Sequence, residues 1–104
     1  MDERRQTPRH RMALPCTLAG AASSPIWAET IDVGLGGMSV RAARPLRAGE
    51  VVDFDLASTE HVRGRARVMR THSPRVYGLR FEELREPMQE RLEAALAEPQ
   101  HIDW

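Results

Sequence analysis

The chain has 104 residues, 29% of them charged, and a formal net charge of zero, which fits one soluble domain with one modest core. No apolar run approaches the roughly 20 residues of a membrane span, and the first residues lack the basic start and apolar run of a signal peptide, so we expect a cytoplasmic protein without membrane insertion. Cys16 is the only cysteine, which excludes an internal disulfide and a cysteine-based zinc site.

The chain begins with a basic segment and continues as short apolar-alternating stretches separated by turn residues. Residues 1–11 hold four arginines against Asp2 and Glu3, and we interpret them as a flexible basic arm. The alternating stretches are typical of antiparallel sandwiches and barrels. Pro15 interrupts the first stretch and indicates an edge strand or a bulge, because proline cannot donate to a ladder. The predicted strands lie at residues 11–20, 26–33, 37–42, 51–57, 62–68 and 76–84.

After Pro87 the spacing of apolar residues becomes helical. Met88, Leu92 and Leu96 fall on one stripe, and a proline suits the first turn of a helix. So short a helix is marginal alone, and we expect it to pack on the β unit. The predicted fold class is all-β, with six antiparallel strands and a C-terminal helix. The expected boundaries are residues 1–11 for the arm, 12–86 for the β unit, 87–98 for the helix and 99–104 for a tail.

A stripe of three arginines, Arg63, Arg65 and Arg67, lies on one face of the fifth predicted strand. Such a stripe attracts the phosphates of a nucleic acid. However, Asp53 and Asp55 occupy the outward face of the expected partner strand, and opposite charges across a ladder stabilise pairing. We favour a solvated, paired face. An RNA or single-stranded DNA binder ranks last, because aromatic residues make up only 5% of the chain and stacking platforms are few.

Metal binding and catalysis have little support in the sequence. There is no GxSxG elbow around any serine, and no serine, histidine and acid can be assigned to one site. The histidines and Cys16 have no spacing typical of a metal site, so we expect neither a metal nor an enzyme. The four histidines are interpreted as surface residues: His10, His61, His72 and His101.

The arm contains an arginine pair, Arg5 and Arg9, four residues apart. Pro8 disfavours helix before it, and in an extended chain residues four apart point to the same side, up to roughly 13 to 14 Å from each other. A guanidinium can bind phosphate, contact the O6/N7 edge of guanine and stack on a base. The pair therefore suits a ligand with two anionic or aromatic ends. A disordered basic tail is the alternative.

The sequence "DVGLGG", from Asp32 to Gly37, connects the second and third predicted strands. A carboxylate can accept from both N1–H and N2–H₂ of a guanine. Glycines at 34, 36 and 37 allow positive φ and leave no Cβ to obstruct a flat ligand. The same six residues also describe an ordinary turn, and from this segment alone both interpretations stay open.

Together the two segments resemble the PilZ domain family, whose signature is RxxxR followed some 20 to 30 residues later by [D/N]xSxxG. Arg5 and Arg9 match the first motif, and Asp32 and Gly37 match two positions of the second. Gly34 stands where the family has serine. The last strands, "GRARVMR" and "YGLRFEEL", are also similar to the closing hairpin of the family.

The resemblance, which covers residues 4 to about 84, implies a six-stranded antiparallel β-barrel that binds the bacterial second messenger cyclic di-GMP. It implies that the arm arginines wrap the phosphates and guanines, that the second motif reads a guanine, and that an arginine before RxxxR goes with an intercalated ligand dimer. It also implies protein partners in motility, pilus or exopolysaccharide systems. The ligand-binding residues expected from it are Arg4, Arg5, Arg9, Asp32, Gly34 and Gly37.

The glycine at position 34 leaves two functions open. A single missing hydroxyl weakens binding without abolishing it, which favours a cyclic di-GMP receptor that relays the signal by ordering its arm. The alternative is a PilZ-like adaptor that has lost the ligand and acts through protein contacts alone.

Overall fold

The structure is a computed structural model that describes residues 9–20 and 24–97. Within these ranges seven strands and one helix follow the order of the chain. Their bounds are β1 (His10–Arg11), β2 (Pro15–Ala19), β3 (Ile26–Val33), β4 (Gly37–Ala42), β5 (Val51–Leu56), β6 (Val62–Ser73), β7 (Val76–Glu83) and α1 (Glu86–Ala97).

The strands form a closed antiparallel barrel. β2 pairs with β5, and the sheet continues through β6, β7 and β4 to β3, which pairs again with β2 and closes the barrel. β1 is an additional short strand beside the end of β3. The predicted six-stranded antiparallel fold with a C-terminal helix is confirmed, and the extra strand was not predicted. In the described ranges no helix is long and apolar enough to cross a membrane.

Side chains that alternate inward from each barrel strand fill the core, and the helix packs against β6 and adds Leu92 to it. Cys16 belongs to this core at 2% exposure, and burial raises the pKa of its thiol from 9.0 to about 12, so the thiol stays protonated at neutral pH. The core therefore unites every barrel strand with the helix, as expected. Representative buried side chains are Leu18, Val33, Val40, Phe54, Val68, Leu79 and Leu92.

Pro15 does not mark an edge strand. β2 lies between β3 and β5, so it is an interior strand of the barrel. Pro15 is the first residue of β2, where proline is tolerated, and its carbonyl accepts a hydrogen bond from the Ala57 N–H at 2.9 Å. The expectation of an edge was wrong because closure of the barrel gives β2 two neighbours, which alternation in one segment cannot reveal.

One buried threonine attaches the arm to the barrel. Thr30 is 2% exposed, and its hydroxyl donates to the Met12 carbonyl at 2.6 Å and accepts from the Leu14 N–H at 2.8 Å. The Met12 N–H donates to the Ile31 carbonyl at 3.2 Å. These bonds hold the chain against β3, and the two residues before them continue as β1. The last part of the predicted flexible arm is therefore a strand.

Removal of the Thr30 hydroxyl is expected to weaken the fold. Thr30→Val keeps the side-chain shape but leaves the Met12 carbonyl and the Leu14 N–H without their partner, so the free energy of unfolding should fall by about 1–3 kcal/mol. Thr71→Val, at the exposed end of β6, is the control and should change it by less than about 0.5 kcal/mol. Urea denaturation measures both, and equal effects of the two substitutions would contradict the role given to Thr30.

Candidate functional site

A β-bulge in β3 places Asp32 on the outer surface of the barrel. Thr30 pairs with Val40 and Asp32 pairs with Ser39, so Ile31 is an extra residue in the ladder with β4. If the side chains of β3 alternated strictly, Asp32 would point inward like Thr30. The bulge shifts the alternation by one residue, since Asp32 has a side chain that is 29% exposed while the following residue of β3 is buried.

The arm arginine Arg9 contacts Asp32 directly. β1 pairs with the end of β3, with Arg11 opposite Asp32, and Arg9, two residues before Arg11, lies beside the carboxylate. Arg9 Nη1 lies 2.6 Å from Asp32 Oδ1, and the two side chains are 47% and 29% exposed. The structure thus joins one residue of each sequence motif. Arg4 and Arg5, the other arm residues expected at the site, lie outside the described residues.

The hairpin that follows Asp32 positions the expected glycines. The Gly34 N–H donates to the Gly37 carbonyl at 2.8 Å, and the Gly36 carbonyl accepts from the Phe81 N–H of β7 at 2.9 Å. Gly34 and Gly37 are buried, whereas Gly36 is exposed. The hairpin is therefore fixed both internally and to the neighbouring strand.

The positive φ that glycine allows is not used at Gly36 or Gly37. Among the described glycines the left-handed region is occupied at Gly49, with φ of 88°, and neither Gly36 nor Gly37 adopts it. A Cβ on Gly37 would collide with the carbonyl oxygen of Leu79 in β7, while a Cβ on Gly36 would enter open space. What comes close to Gly37 is the barrel's own backbone, so this motif glycine has a structural role.

The two glycines give a matched pair of substitutions. Gly37→Ala should lower the free energy of unfolding by about 1–3 kcal/mol, because β7 must shift to admit the methyl group. Gly36→Ala should change it by less than about 0.5 kcal/mol, since the added methyl group meets no atom. Thermal and urea denaturation distinguish them, and an equal loss in both variants would disprove the close approach of β7.

The comparisons with known proteins agree with this architecture. The family model described as PilZ domain matches residues 3–98 of the chain. This chain belongs to the PilZ domain family. The resemblance seen in the sequence is thereby confirmed. PilZ domains are binding domains associated with cyclic di-GMP, so membership of the family relates this protein to that ligand.

Two solved structures share the fold of this PilZ domain. The Bacillus subtilis inhibitor of motility MotI/DgrA matches with a TM-score of 0.73 and 21% identity, over 89% of this chain and 49% of that one. The PilZ domain of CeSA from a cellulose-synthesizing bacterium matches with a TM-score of 0.66 and 20% identity, over 86% and 93%. This chain spans about half the length of MotI/DgrA. No curated protein matches it.

The arginine stripe of this PilZ domain is paired with carboxylates, as predicted. Arg63 Nε lies 3.0 Å from Asp55 Oδ2, and Arg65 Nε lies 3.1 Å from Asp53 Oδ1. Arg67 pairs instead with Glu82 of β7, where Nε is 2.5 Å and Nη2 is 3.2 Å from the two carboxylate oxygens. These pairs neutralise the stripe and weaken the case for a nucleic-acid track.

The Asp55 carboxylate has two partners. His61 Nδ1 lies 2.6 Å from one oxygen and Arg63 Nε 3.0 Å from the other. Burial raises the pKa of Asp55, but the hydrogen bonds and charges of His61 and Arg63 outweigh it and hold that pKa below 3.8. Within the described ranges no group of three or more histidine, cysteine, aspartate or glutamate side chains is arranged to hold a metal ion.

The lowered pKa of Asp55 predicts a pH-dependent contribution to stability. A carboxylate with a native pKa below its unfolded value of about 3.8 stabilises the fold well above pH 3.8, and this contribution is lost as the pH falls through the lowered native value. Asp55→Asn should therefore lower the free energy of unfolding by up to about 1 kcal/mol at pH 7, and by less at pH 2.5. Urea denaturation at both pH values tests this, and an equal loss at both would contradict it.

Proposed function

We propose that this PilZ domain is a cyclic di-GMP receptor whose ligand binds on the outer surface beside Asp32 and rearranges the arm. The contact between Arg9 and Asp32 is the observation that supports this most directly. It holds together a carboxylate suited to a guanine edge and a guanidinium suited to phosphate or guanine. The two groups lie at the surface, one on the arm and one on β3, and the arm can move away from the barrel. They form the core of the proposed nucleotide site.

The ion pair defines how the ligand enters. Arg9 occupies Oδ1 of Asp32, whereas a guanine that donates from N1 and N2 needs both carboxylate oxygens. The guanine therefore competes with Arg9 for Oδ1, and we expect Arg9 to turn from the carboxylate to the ligand. An exposed ion pair contributes only about 0.2–1 kcal/mol, so the exchange costs little compared with the charge-assisted bonds that replace it. The same exchange moves the arm, and this movement is the proposed signal.

Thr30 limits the part of the arm that can move. Thr30 is buried and its hydrogen bonds to Met12 and Leu14 are partly buried, while the side chain of Arg9 is about half exposed. Loss of a buried hydrogen bond costs more than loss of an exposed ion pair. The rearrangement is therefore expected before Met12, which includes the segment with Arg4 and Arg5, and the barrel stays fixed.

Gly34 reduces the expected affinity without removing the site. The serine hydroxyl of the family motif is absent there, and one ordinary hydrogen bond is worth about 0.5–1.5 kcal/mol, or roughly a two- to thirteenfold change in affinity. A charge-assisted arginine contact is worth about 1.5–3 kcal/mol. The contribution of Arg9 therefore exceeds that of the missing hydroxyl, and Gly37 supports the site indirectly by fixing the hairpin.

A protein partner would recognise the rearranged arm by binding to it. One structural relative is named as an inhibitor of motility and another comes from a cellulose-synthesizing bacterium. Partners in motility, pilus or exopolysaccharide systems are accordingly the first to test. The alternative function, an adaptor without a ligand, is favoured by Gly34, and it requires partner binding that ignores both cyclic di-GMP and the Arg9→Ala substitution.

Titration calorimetry with cyclic di-GMP tests the proposal. The wild-type chain should bind, Arg9→Ala should weaken binding roughly 13- to 160-fold, and Gly34→Ser should tighten it. Arg85→Ala is the charge-matched control, because Arg85 is 82% exposed and follows the far end of β7. Its affinity should equal that of the wild type.

Three results would count against this function. An absence of binding heat at about 100 μM ligand would exclude a receptor of useful affinity. Equal binding by wild type and Arg9→Ala would remove the arm from the site. Weaker binding by Gly34→Ser would mean that the second motif has been assigned to the wrong residues.

A further inference from the structure

We infer that the ligand site continues from Asp32 across the outer surface of the barrel to Arg70, with Ser39 and Arg70 as two further ligand-contacting residues. This inference rests on the proposed function and names where the second half of the dinucleotide is held. It concerns residues outside both sequence motifs.

Strand register aligns these residues in one row. Asp32 of β3 pairs with Ser39 of β4, Ser39 pairs with Gly78 of β7, and Gly78 pairs with Arg70 of β6. All four positions lie on the outward face, since their neighbours Val40 and Leu79 point into the core. We call Asp32, Ser39, Gly78 and Arg70 the outer row. With adjacent strands about 4.8 Å apart, its two ends are about 14 Å apart.

Gly78 leaves the middle of the outer row without a side chain. A Cβ there would lie 3.1 Å from His72 Nε2 and 3.3 Å from Arg70 Cγ, so these two side chains extend over the glycine backbone. Both belong to residues that are exposed, and their ends can turn away. Glycine weakens a strand interior and often marks a place where a ligand approaches the backbone closely. The middle of the outer row is therefore a glycine backbone buried beneath the His72 and Arg70 side chains, which turn aside when a ligand binds there.

Arg70 is available to a ligand. Several arginines of this chain contact carboxylates, whereas the side chain of Arg70 has no hydrogen bond or ion pair within the described part of the chain. Its guanidinium at one end of the outer row, and the Asp32 carboxylate at the other, suit a ligand that carries both phosphates and guanine edges. The arginines that do contact carboxylates are Arg9, Arg63, Arg65, Arg67, Arg80, Arg85 and Arg91.

Ser39 supplies a hydroxyl beside Asp32. The two residues are directly opposite in the ladder, where Cβ atoms lie about 4.5–5.5 Å apart. Its side chain is half-buried and has no hydrogen bond within the described residues. Ser39 can therefore donate to the ligand from the strand next to the carboxylate, which offsets the hydroxyl that is missing at Gly34.

Affinity measurements on single variants test the outer row. Titration of cyclic di-GMP into Arg70→Ala should give binding that is roughly 10- to 100-fold weaker than wild type, and Ser39→Ala should give roughly two- to tenfold weaker binding. Arg70→Lys should recover part of the loss, because the charge returns without the planar fork. Arg85→Ala again controls for loss of one positive charge and should bind like wild type. Thermal denaturation of each variant verifies that the barrel remains folded.

The outcomes separate this inference from the function on which it rests. If wild type binds and Arg9→Ala does not, but Arg70→Ala and Ser39→Ala bind as tightly as wild type, the outer row is overturned and the receptor function stands. If wild type does not bind cyclic di-GMP, both are overturned. A loss of affinity in Arg70→Ala that matches the loss in Arg85→Ala would show a general charge effect and would also overturn the outer row.

Discussion

A single extra residue in β3 determines how the arm, the barrel and the candidate site are related. The bulge at Ile31 lets Thr30 face inward and Asp32 face outward, although the two are only two positions apart. The Thr30 hydroxyl then hydrogen-bonds to the backbone of Met12 and Leu14, and Asp32 forms an ion pair with Arg9 at the surface. Without the bulge, one of these contacts would be lost, because both side chains would point to the same face. The described part of the arm is therefore fixed at Met12 and held at Arg9 by an exchangeable contact.

Much of the barrel was predictable because its strands alternate cleanly. The pairing of Arg63 with Asp55 and Arg65 with Asp53 follows from alternation in two adjacent segments, and the structure confirms it. The sequence did not reveal the bulge, since a stretch containing Ile31 and Asp32 reads equally well in two registers. β1 has two residues and no pattern of its own, so only its partner strand defines it.

Residues whose role depends on distant strands were the hardest to interpret. Gly37 matches a ligand-binding motif, yet its missing Cβ makes room for the backbone at Leu79, more than 40 positions along the chain. Ser39 faces outward because Met38 and Val40 on either side of it are buried, but its place beside Asp32 depends on the bulge. The local pattern of a strand predicts which of its side chains face outward. Which side chains of other strands lie beside them can be known only from the complete register of the sheet. The candidate site is consequently a combination of motif residues and residues that only the fold brings together.

The proposed signal depends on exchange of the Arg9–Asp32 ion pair, and nuclear magnetic resonance can observe this exchange directly. Cyclic di-GMP should be titrated into protein labelled so that the Arg9 guanidinium and the Asp32 carboxylate are both resolved. Both signals should shift together and saturate at the same ligand concentration, while the Thr30 amide, in the residue that attaches the arm to the barrel, should change little. Signals of Arg9 and Asp32 that stay unchanged while the ligand binds elsewhere would contradict it.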